Sequence, residues 1–258
     1  MHLINNATVI GMGLIGGSIA KALKGKVRIA SLKHDSSDLK MAMDQNVLDL
    51  LFDSWEDLIG WSDMIILATP LSTLSSLAEE IARRCPKEKK LIVMDVGSVK
   101  KAVFPAFEML TTKNLDFVST HPMAGKEKWG FAHSDAHLFQ GCCWILSPHQ
   151  KNQKSNLDIV SELIHLLGGE IQVLDCMQHD EQTALVSHLP ALLSRLYLQF
   201  VEESHPESRQ IAGPGFKSMT RLARDNPQMQ KEIFLYNREE ILKQLESFLK
   251  FIKRETAS

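Results

Sequence analysis

Short apolar runs alternate with segments of helical spacing along the first 150 residues. Ala7–Gly11, Val27–Leu32, Met64–Ala68 and Leu91–Val96 read as strands one to four, Phe117–Ser119 as a fifth and Trp144–Ser147 as a later one. Gly13–Leu23, with apolar Leu14, Ile15, Ile19, Ala20 and Leu23, reads as a helix, as do Ser37–Gln45 and Leu74–Arg84. Uninterrupted apolar runs such as Met64–Ala68 suit parallel strands covered on both faces. Strand and helix alternating at this spacing predict a doubly wound sheet with right-handed crossovers. After the polar break Gln150–Ser155 come a helix, Leu157–Leu167, a Gly168-Gly169 stop and a strand, Glu170–Leu174.

From His179 onward the pattern is helical only: His179–Phe200, Ser218–Arg224 and Gln228–Ile252. The change of pattern places a domain boundary near 174–180. The expected architecture is α/β, an N-terminal Rossmann-type doubly wound sheet over 1–175 followed by an all-helical C-terminal dimerisation domain over 176–258. So short a helical segment seldom buries a core alone. Interlocking with a second copy would solve that, so a homodimer is expected; the alternative is a monomer whose helices pack back on the sheet.

The 258 residues, 44% of them hydrophobic, suffice for a substantial core. A net charge of −2 gives no field for nucleic acid. The longest apolar runs fall far short of a membrane span, and Met1-His2-Leu3-Ile4-Asn5 has no charged start followed by an apolar stretch. A cytoplasmic protein without membrane contact is expected. Cys85, Cys142, Cys143 and Cys176 match neither a zinc nor a redox spacing. Cys142 and Cys143 read as buried structural thiols, and no metal site is expected.

The chemistry starts at the first strand. Val9-Ile10-Gly11-Met12-Gly13-Leu14-Ile15-Gly16 is a G-x-G-x-x-G turn between a strand and a helix. Gly11 permits the turn, Gly13 lets the backbone approach a pyrophosphate, and Gly16 lets the helix pack on the strand. The helix N-terminus at Leu14 and Ile15 offers its N–H groups to the phosphates. Thr69 and Pro70, ending strand three, join this cofactor-binding set. In NAD-binding folds an acid at the end of strand two binds the ribose 2′-OH. Here that strand ends Ser31-Leu32-Lys33-His34-Asp35. A cation and a hydroxyl suit a 2′-phosphate, so Ser31, Lys33 and His34 point to NADP; NAD is favoured if Asp35 is the ribose acid.

Four further patches carry candidate chemistry. Asp95-Val96-Gly97-Ser98-Val99-Lys100 follows strand four, where ligands of open α/β sheets bind. Ser98 can bond a substrate or a nicotinamide, or cap a helix over Val99–Leu110, and Lys100 can attract an acid. Ser119-Thr120-His121-Pro122-Met123-Ala124-Gly125 sets His121 in a loop after a strand, where an imidazole can take a hydroxyl proton. His179-Asp180 and Ser187-His188-Leu189-Pro190 share a helix. Asp180 and His188 are eight residues apart, about 80° out of alignment on an α-helix, so they need not share a face. Pro190 should kink the helix. Gly213-Pro214-Gly215-Phe216-Lys217-Ser218-Met219-Thr220-Arg221 is a glycine loop entering a helix, and Arg221 can clamp a carboxylate bidentately or bridge helices.

Taken in order, Gly-x-Gly-x-x-Gly-Gly-Ser, Asp-x-Gly-Ser-Val-Lys, His-Pro-Met-Ala-Gly-x-Glu, His-Asp…Ser-His-Leu-Pro and Gly-Phe-x-x-x-Thr-Arg resemble the prephenate/arogenate dehydrogenase family of tyrosine biosynthesis. The resemblance runs over nearly the whole chain. It implies oxidative decarboxylation of a cyclohexadienol by a dimer with a Rossmann domain and an interlocked helical domain. Position by position, His121 resembles the family's catalytic histidine and Ser98 its partner. His188 resembles a substrate-side histidine, and Arg221 the arginine that holds a substrate carboxylate. The chain departs from the family at Lys33, where NAD-using members carry an acid. It departs at Lys217, a substrate-side position often occupied by Arg, and at Gln230, in place of a tryptophan found in some members. Its end at Ser258 leaves no room for a sizeable regulatory domain. The rival expectations are another Rossmann-type dehydrogenase of a small hydroxy acid, with Lys217 as its lysine, and a non-catalytic nucleotide-binding module.

Overall fold

A computed structural model describes residues 4–256; the readings placed on Met1–Leu3 and on the chain end at Ser258 lie outside the described residues. The chain divides after Cys176 into two compact units.

The first unit alternates strand and helix: β1 (Asn6–Ile10), α1 (Leu14–Leu23), β2 (Arg28–Leu32), α2 (Ser37–Asp44), β3 (Leu50–Phe52), α3 (Trp55–Trp61), β4 (Met64–Leu67), α4 (Leu71–Arg84), β5 (Leu91–Asp95), α5 (Phe104–Leu110), β6 (Leu115–Pro122), β7 (Cys143–Ser147), α6 (Lys154–Leu167) and β8 (Glu170–Val173). The strands form one sheet in the order β3-β2-β1-β4-β5-β6-β7-β8. Every pairing is parallel except β6 with β7. The strand order reverses at β1 and β4, which opens a crevice beyond their carboxyl ends.

Local chemistry fixes the elements. Ser36 caps α2 by accepting from the Leu39 N–H at 3.1 Å, and Ser54 caps α3 by accepting from Asp57 N–H at 3.1 Å. Gly168 ends α6 in the left-handed region at φ 93°, the stop expected there. The core lies between sheet and helices, with Val9, Ile29, Ile66, Met94, Val118 and Trp144 from the strands packed on Ile19, Leu23 and Leu163.

β3 leaves no periodic signal in the sequence, being a three-residue, half-buried edge strand. The fifth predicted strand is longer than Phe117–Ser119: pairing with β7 carries it to Pro122, so His121 is a strand residue, not a loop residue. Cys143 is exposed and Cys142 half-buried, since both precede the point where β7 enters the core at Trp144.

The second unit contains α7 (Cys176–Thr183), a π-helical turn at Ala184–His188, α8 (Leu189–Ser204), α9 (Pro214–Met219), α10 (Pro227–Tyr236) and α11 (Arg238–Thr256). Short 3-10 turns occupy Pro206–Ile211 and Arg221–Arg224. Its buried cluster is small: Ala184, Leu189 and Ile241, joined by Leu192, Leu193, Phe234 and Leu245. Large apolar side chains stay exposed, among them Val186, Phe200, Ile211 and Leu235. The helical run Cys176–Ser204 is long and apolar enough to cross a membrane by length and composition only, a test that the core helix of a soluble protein also passes.

Candidate active site

The carboxyl edge of the sheet gathers the candidate residues of the first unit. At Gly11, φ is +97°, and a Cβ would lie 2.5 Å from the Ala68 carbonyl oxygen. A Cβ at Gly16 would lie 1.9 Å from the Gly11 carbonyl oxygen. Only glycine closes this turn and seats α1 on β1. At Gly13 the reverse holds: a Cβ would meet nothing within 4 Å, so the space beside this backbone is open. No side chain caps the N-terminus of α1. Open space, bare N–H groups at Leu14 and Ile15 and the positive end of the helix fit a dinucleotide pyrophosphate. Thr69 and Pro70 follow β4, the neighbouring strand, with Pro70 at the N-cap of α4 and Thr69 accepting from the Thr73 hydroxyl at 2.8 Å.

The end of β2 is less simple than its sequence. Ser31 is fully buried and donates its hydroxyl to the Val9 carbonyl at 2.8 Å, so it ties β2 to β1 and is closed to a ligand. That removes it from the cofactor set. Lys33 is exposed, and its Nζ sits 2.8 Å from Asp53, which follows β3. The Asp53 carboxylate accepts a hydrogen bond from the Lys33 ammonium and raises its pKa. His34 Nδ1 lies 3.0 Å from the Leu32 carbonyl, a donor to it in the matching tautomer. Asp53, carried to the end of β2 by the short strand β3, is an acid that no spacing in the sequence points to.

At the next strand ends, a buried polar network replaces the free lysine expected there. Asp95 and Lys100 are both fully buried, with Lys100 Nζ 2.7 Å from Asp95 Oδ2. The same carboxylate accepts from Gly97 N–H at 2.8 Å, Ser119 Oγ at 2.9 Å and Thr120 N–H at 3.2 Å. Lys100 also donates to the Thr120 carbonyl. Thr120 Oγ1 donates to the Asp95 carbonyl at 2.6 Å and accepts from Trp144 Nε1 at 3.0 Å. Lys100 is thus spent on holding β5 to β6 and attracts no substrate acid.

What the network holds in place is Ser98 and His121. Asp95 pairs in register with Ser119, Ser98 comes three residues after the first, and His121 two residues after the second. Both therefore reach the same edge from adjacent strands. His121 is buried to 7% exposure opposite Ile145 of β7, and Ser98 is half-buried. Ser98 is no cap for α5, which starts at Phe104 with Val103 at its N-cap. The edge from β1 to β6 spans three strand spacings, about 14 Å.

The helical unit holds the remaining candidate residues, described within that unit. Leu189 N–H bonds to the Ala184 carbonyl, five residues back, and Pro190, lacking an N–H, follows. The expected disturbance at Pro190 is thus a π turn, which winds less per residue than an α turn. One side chain, Asn237, bonds the backbone of Asp180 and the ring of His188. Its Nδ2 donates to the Asp180 carbonyl at 2.8 Å and to His188 Nδ1 at 3.0 Å. His179 Nδ1 lies 2.7 Å from Asp180 Oδ1, and His179, Asp180, His188 and Asn237 are all buried. Burial, reinforced by His179 and opposed by Asp180, lowers the His188 pKa to about 4, so the ring is neutral at pH 7. Lys217 sits exposed on α9, not ahead of a helix. Arg221 opens a 3-10 turn rather than an α-helix and is exposed within its unit, because the helix expected over Ser218–Arg224 breaks at Thr220. The long helix expected over Gln228–Ile252 breaks at Asn237. Gln230 is buried and donates to the Leu222 carbonyl at 2.6 Å.

Comparison with known proteins agrees with this layout. Residues 19–173 match the profile described as prephenate dehydrogenase, nucleotide-binding domain, and residues 175–257 match prephenate dehydrogenase, dimerization domain. The chain belongs to the prephenate dehydrogenase family. Within that family it is 30% identical over 251 residues to prephenate dehydrogenase of Bacillus subtilis, spanning 95% of this chain and 67% of the relative. It is 27% identical to cyclohexadienyl dehydrogenase of Zymomonas mobilis, over 98% of this chain and 88% of the relative. Among solved structures it superposes on prephenate dehydrogenase from A. aeolicus, in complex with hydroxyphenyl propionate and NAD+, with a TM-score of 0.86 and 32% identity, covering 97% of this chain and 88% of that one. The family match begins at residue 19, past the glycine turn, so the phosphate site at Gly11–Gly16 rests on its own geometry.

Proposed function

We propose that this chain oxidatively decarboxylates prephenate, arogenate or both, with hydride transfer to a nicotinamide dinucleotide, in tyrosine biosynthesis. The observation that carries the proposal is family membership across both units, together with Ser98 and His121 on the same sheet edge as a glycine turn suited to phosphate. The bound nicotinamide would accept hydride from the ring carbon that bears the hydroxyl. His121 takes the hydroxyl proton as that carbon becomes a carbonyl. Ser98 orients His121 and the reacting end of the cofactor. The ring carboxylate then leaves as CO₂, its bonding electrons pass through the ring to the oxygen, and His121 returns the proton to the phenolate. Atoms and charge balance with no further reactant, and aromatisation makes the step irreversible. On the helical unit Arg221 holds the ring carboxylate, with Lys217 and His188 as further substrate contacts; these roles rest on the resemblance of their motifs.

We place NADP ahead of NAD, on Lys33 and His34 and no longer on Ser31. A homodimer is supported by the dimerization-domain match and by the exposed apolar side chains of the helical unit. We also place the protein in the cytoplasm, in keeping with its similarity to bacterial biosynthetic dehydrogenases. Purified protein offered NAD or NADP with prephenate, arogenate and a small hydroxy acid should reduce cofactor and release CO₂ only with the cyclohexadienols. Reduction with the hydroxy acid alone would overturn the assignment.

A further inference from the structure

Asn237 stands at the junction of α10 and α11, where its N–H caps α10 on the Ile233 carbonyl at 2.9 Å. Its side chain serves a different purpose. The Asp180 carbonyl can only accept, so the group 2.8 Å from it must be the Asn237 amide nitrogen, which settles the orientation of the amide. The second hydrogen of that nitrogen faces His188 Nδ1 at 3.0 Å. Nδ1 must therefore accept, and the neutral ring carries its proton on Nε2. His188 is 2% exposed, and among the described residues its Nε2 has no hydrogen-bond partner. Asn237 Oδ1 is likewise buried and unpartnered. A buried donor left open is costly, and such groups persist where a ligand completes them. The π turn that presents His188 is itself a conformation that recurs at functional sites.

We infer that Asn237 is a positioning residue that locks His188 in the Nε2–H tautomer, making it a fixed neutral hydrogen-bond donor to an acceptor oxygen of the substrate and not a proton acceptor. The tautomer follows from the helical unit alone; the identity of the oxygen as one of a cyclohexadienol rests on the function proposed above. A neutral donor recognises oxygen without adding charge to the site, and it holds its form across the working pH range. The charged groups that act on the ring are His179 and Asp180, and they oppose each other.

Long-range ¹H–¹⁵N spectra of the full chain with labelled histidine should show His188 Nδ1 unprotonated and Nε2 protonated, unchanged from about pH 8 to about pH 5. Asn237→Asp sets a carboxylate against Nδ1 and should invert the tautomer. It should raise KM for the cyclohexadienol about tenfold while leaving KM for the nucleotide unchanged. His188→Gln, whose amide reaches the Nε2 position, should keep more activity than His188→Asn, whose amide does not. If Asn237→Asp does not fold, as its melting curve will tell, Asn237→Leu should give a mixture of tautomers. A wild-type Nδ1–H resonance overturns the lock. An inverted tautomer with unchanged KM, or His188→Asn as active as His188→Gln, overturns the donor role. Failure of the wild type to turn over any cyclohexadienol would instead overturn the proposed function, while the spectrum still decides the tautomer.

Discussion

At the scale of single residues, the site separates groups that act from groups that hold them. With His121 as the proposed base, its replacement by Asn should lower turnover by about 10²–10⁴-fold, with nucleotide binding by fluorescence titration nearly unchanged. Unaltered turnover would remove His121 from the mechanism. Arg221 is exposed within its unit, so the loss from Arg221→Ala is set at the level of a charge-assisted hydrogen bond rather than a buried pair. That corresponds to about 1.5–3 kcal/mol, or roughly ten- to a hundredfold in KM for the cyclohexadienol. Prephenate and arogenate share the ring carboxylate, so both should suffer alike; a penalty confined to prephenate would move Arg221 to the side chain. Lys33 carries its own counter-ion, and this suggests a reciprocal pair of variants. Asp53→Asn frees the ammonium and should raise the preference for NADP over NAD, whereas Lys33→Asp should lower it. Ratios of kcat/KM for the two cofactors check both, and no change in either variant would place the 2′ position elsewhere.

Among the elements, the π turn and the helix junction at Asn237 matter most, since they bury an imidazole in neutral form. His188 has an ordinary pKa of 6.5 and a folded value of about 4. Between these values the unfolded chain binds the extra proton and the folded chain does not. The stability contributed by the neutral ring is therefore complete above pH 6.5 and lost as pH falls toward 4, a loss of about 3 kcal/mol in all. His149 adds to the same trend in the nucleotide unit, where burial lowers its pKa. Denaturant unfolding at a series of pH values should show this decline, and His188→Gln should flatten it for the helical unit. An equal slope in the variant would mean that other groups dominate.

For the whole molecule, the helical unit has a small buried cluster and many exposed apolar side chains, with Ile211 at 88% exposure. Exposure on that scale marks an association surface. Sedimentation at micromolar concentration should give twice the 29.0 kDa of one chain. A monomer under those conditions would require the apolar residues of α8, α10 and α11 to be covered otherwise.

Periodicity and glycine placement by themselves determined the alternating α/β half, the helical half and the phosphate turn, because each depends on neighbours a few residues apart. Gly11 and Gly16 could be read from spacing, and the structure supplies the contacts that exclude any side chain there. Other features depended on groups distant in sequence. Ser31 looked available until β1 closed over it, and Lys100 until Asp95 and Thr120 claimed it. Asp53 came to Lys33 through an edge strand too short to show a period. An α-helical projection of Asp180 and His188 assumes a constant winding, and the π turn at Ala184–His188 breaks that assumption. Asn237, 49 residues beyond His188, has no local signal at all. Local sequence sets which backbone conformations are cheap, whereas the partner of a buried polar group is chosen only when packing brings distant segments together.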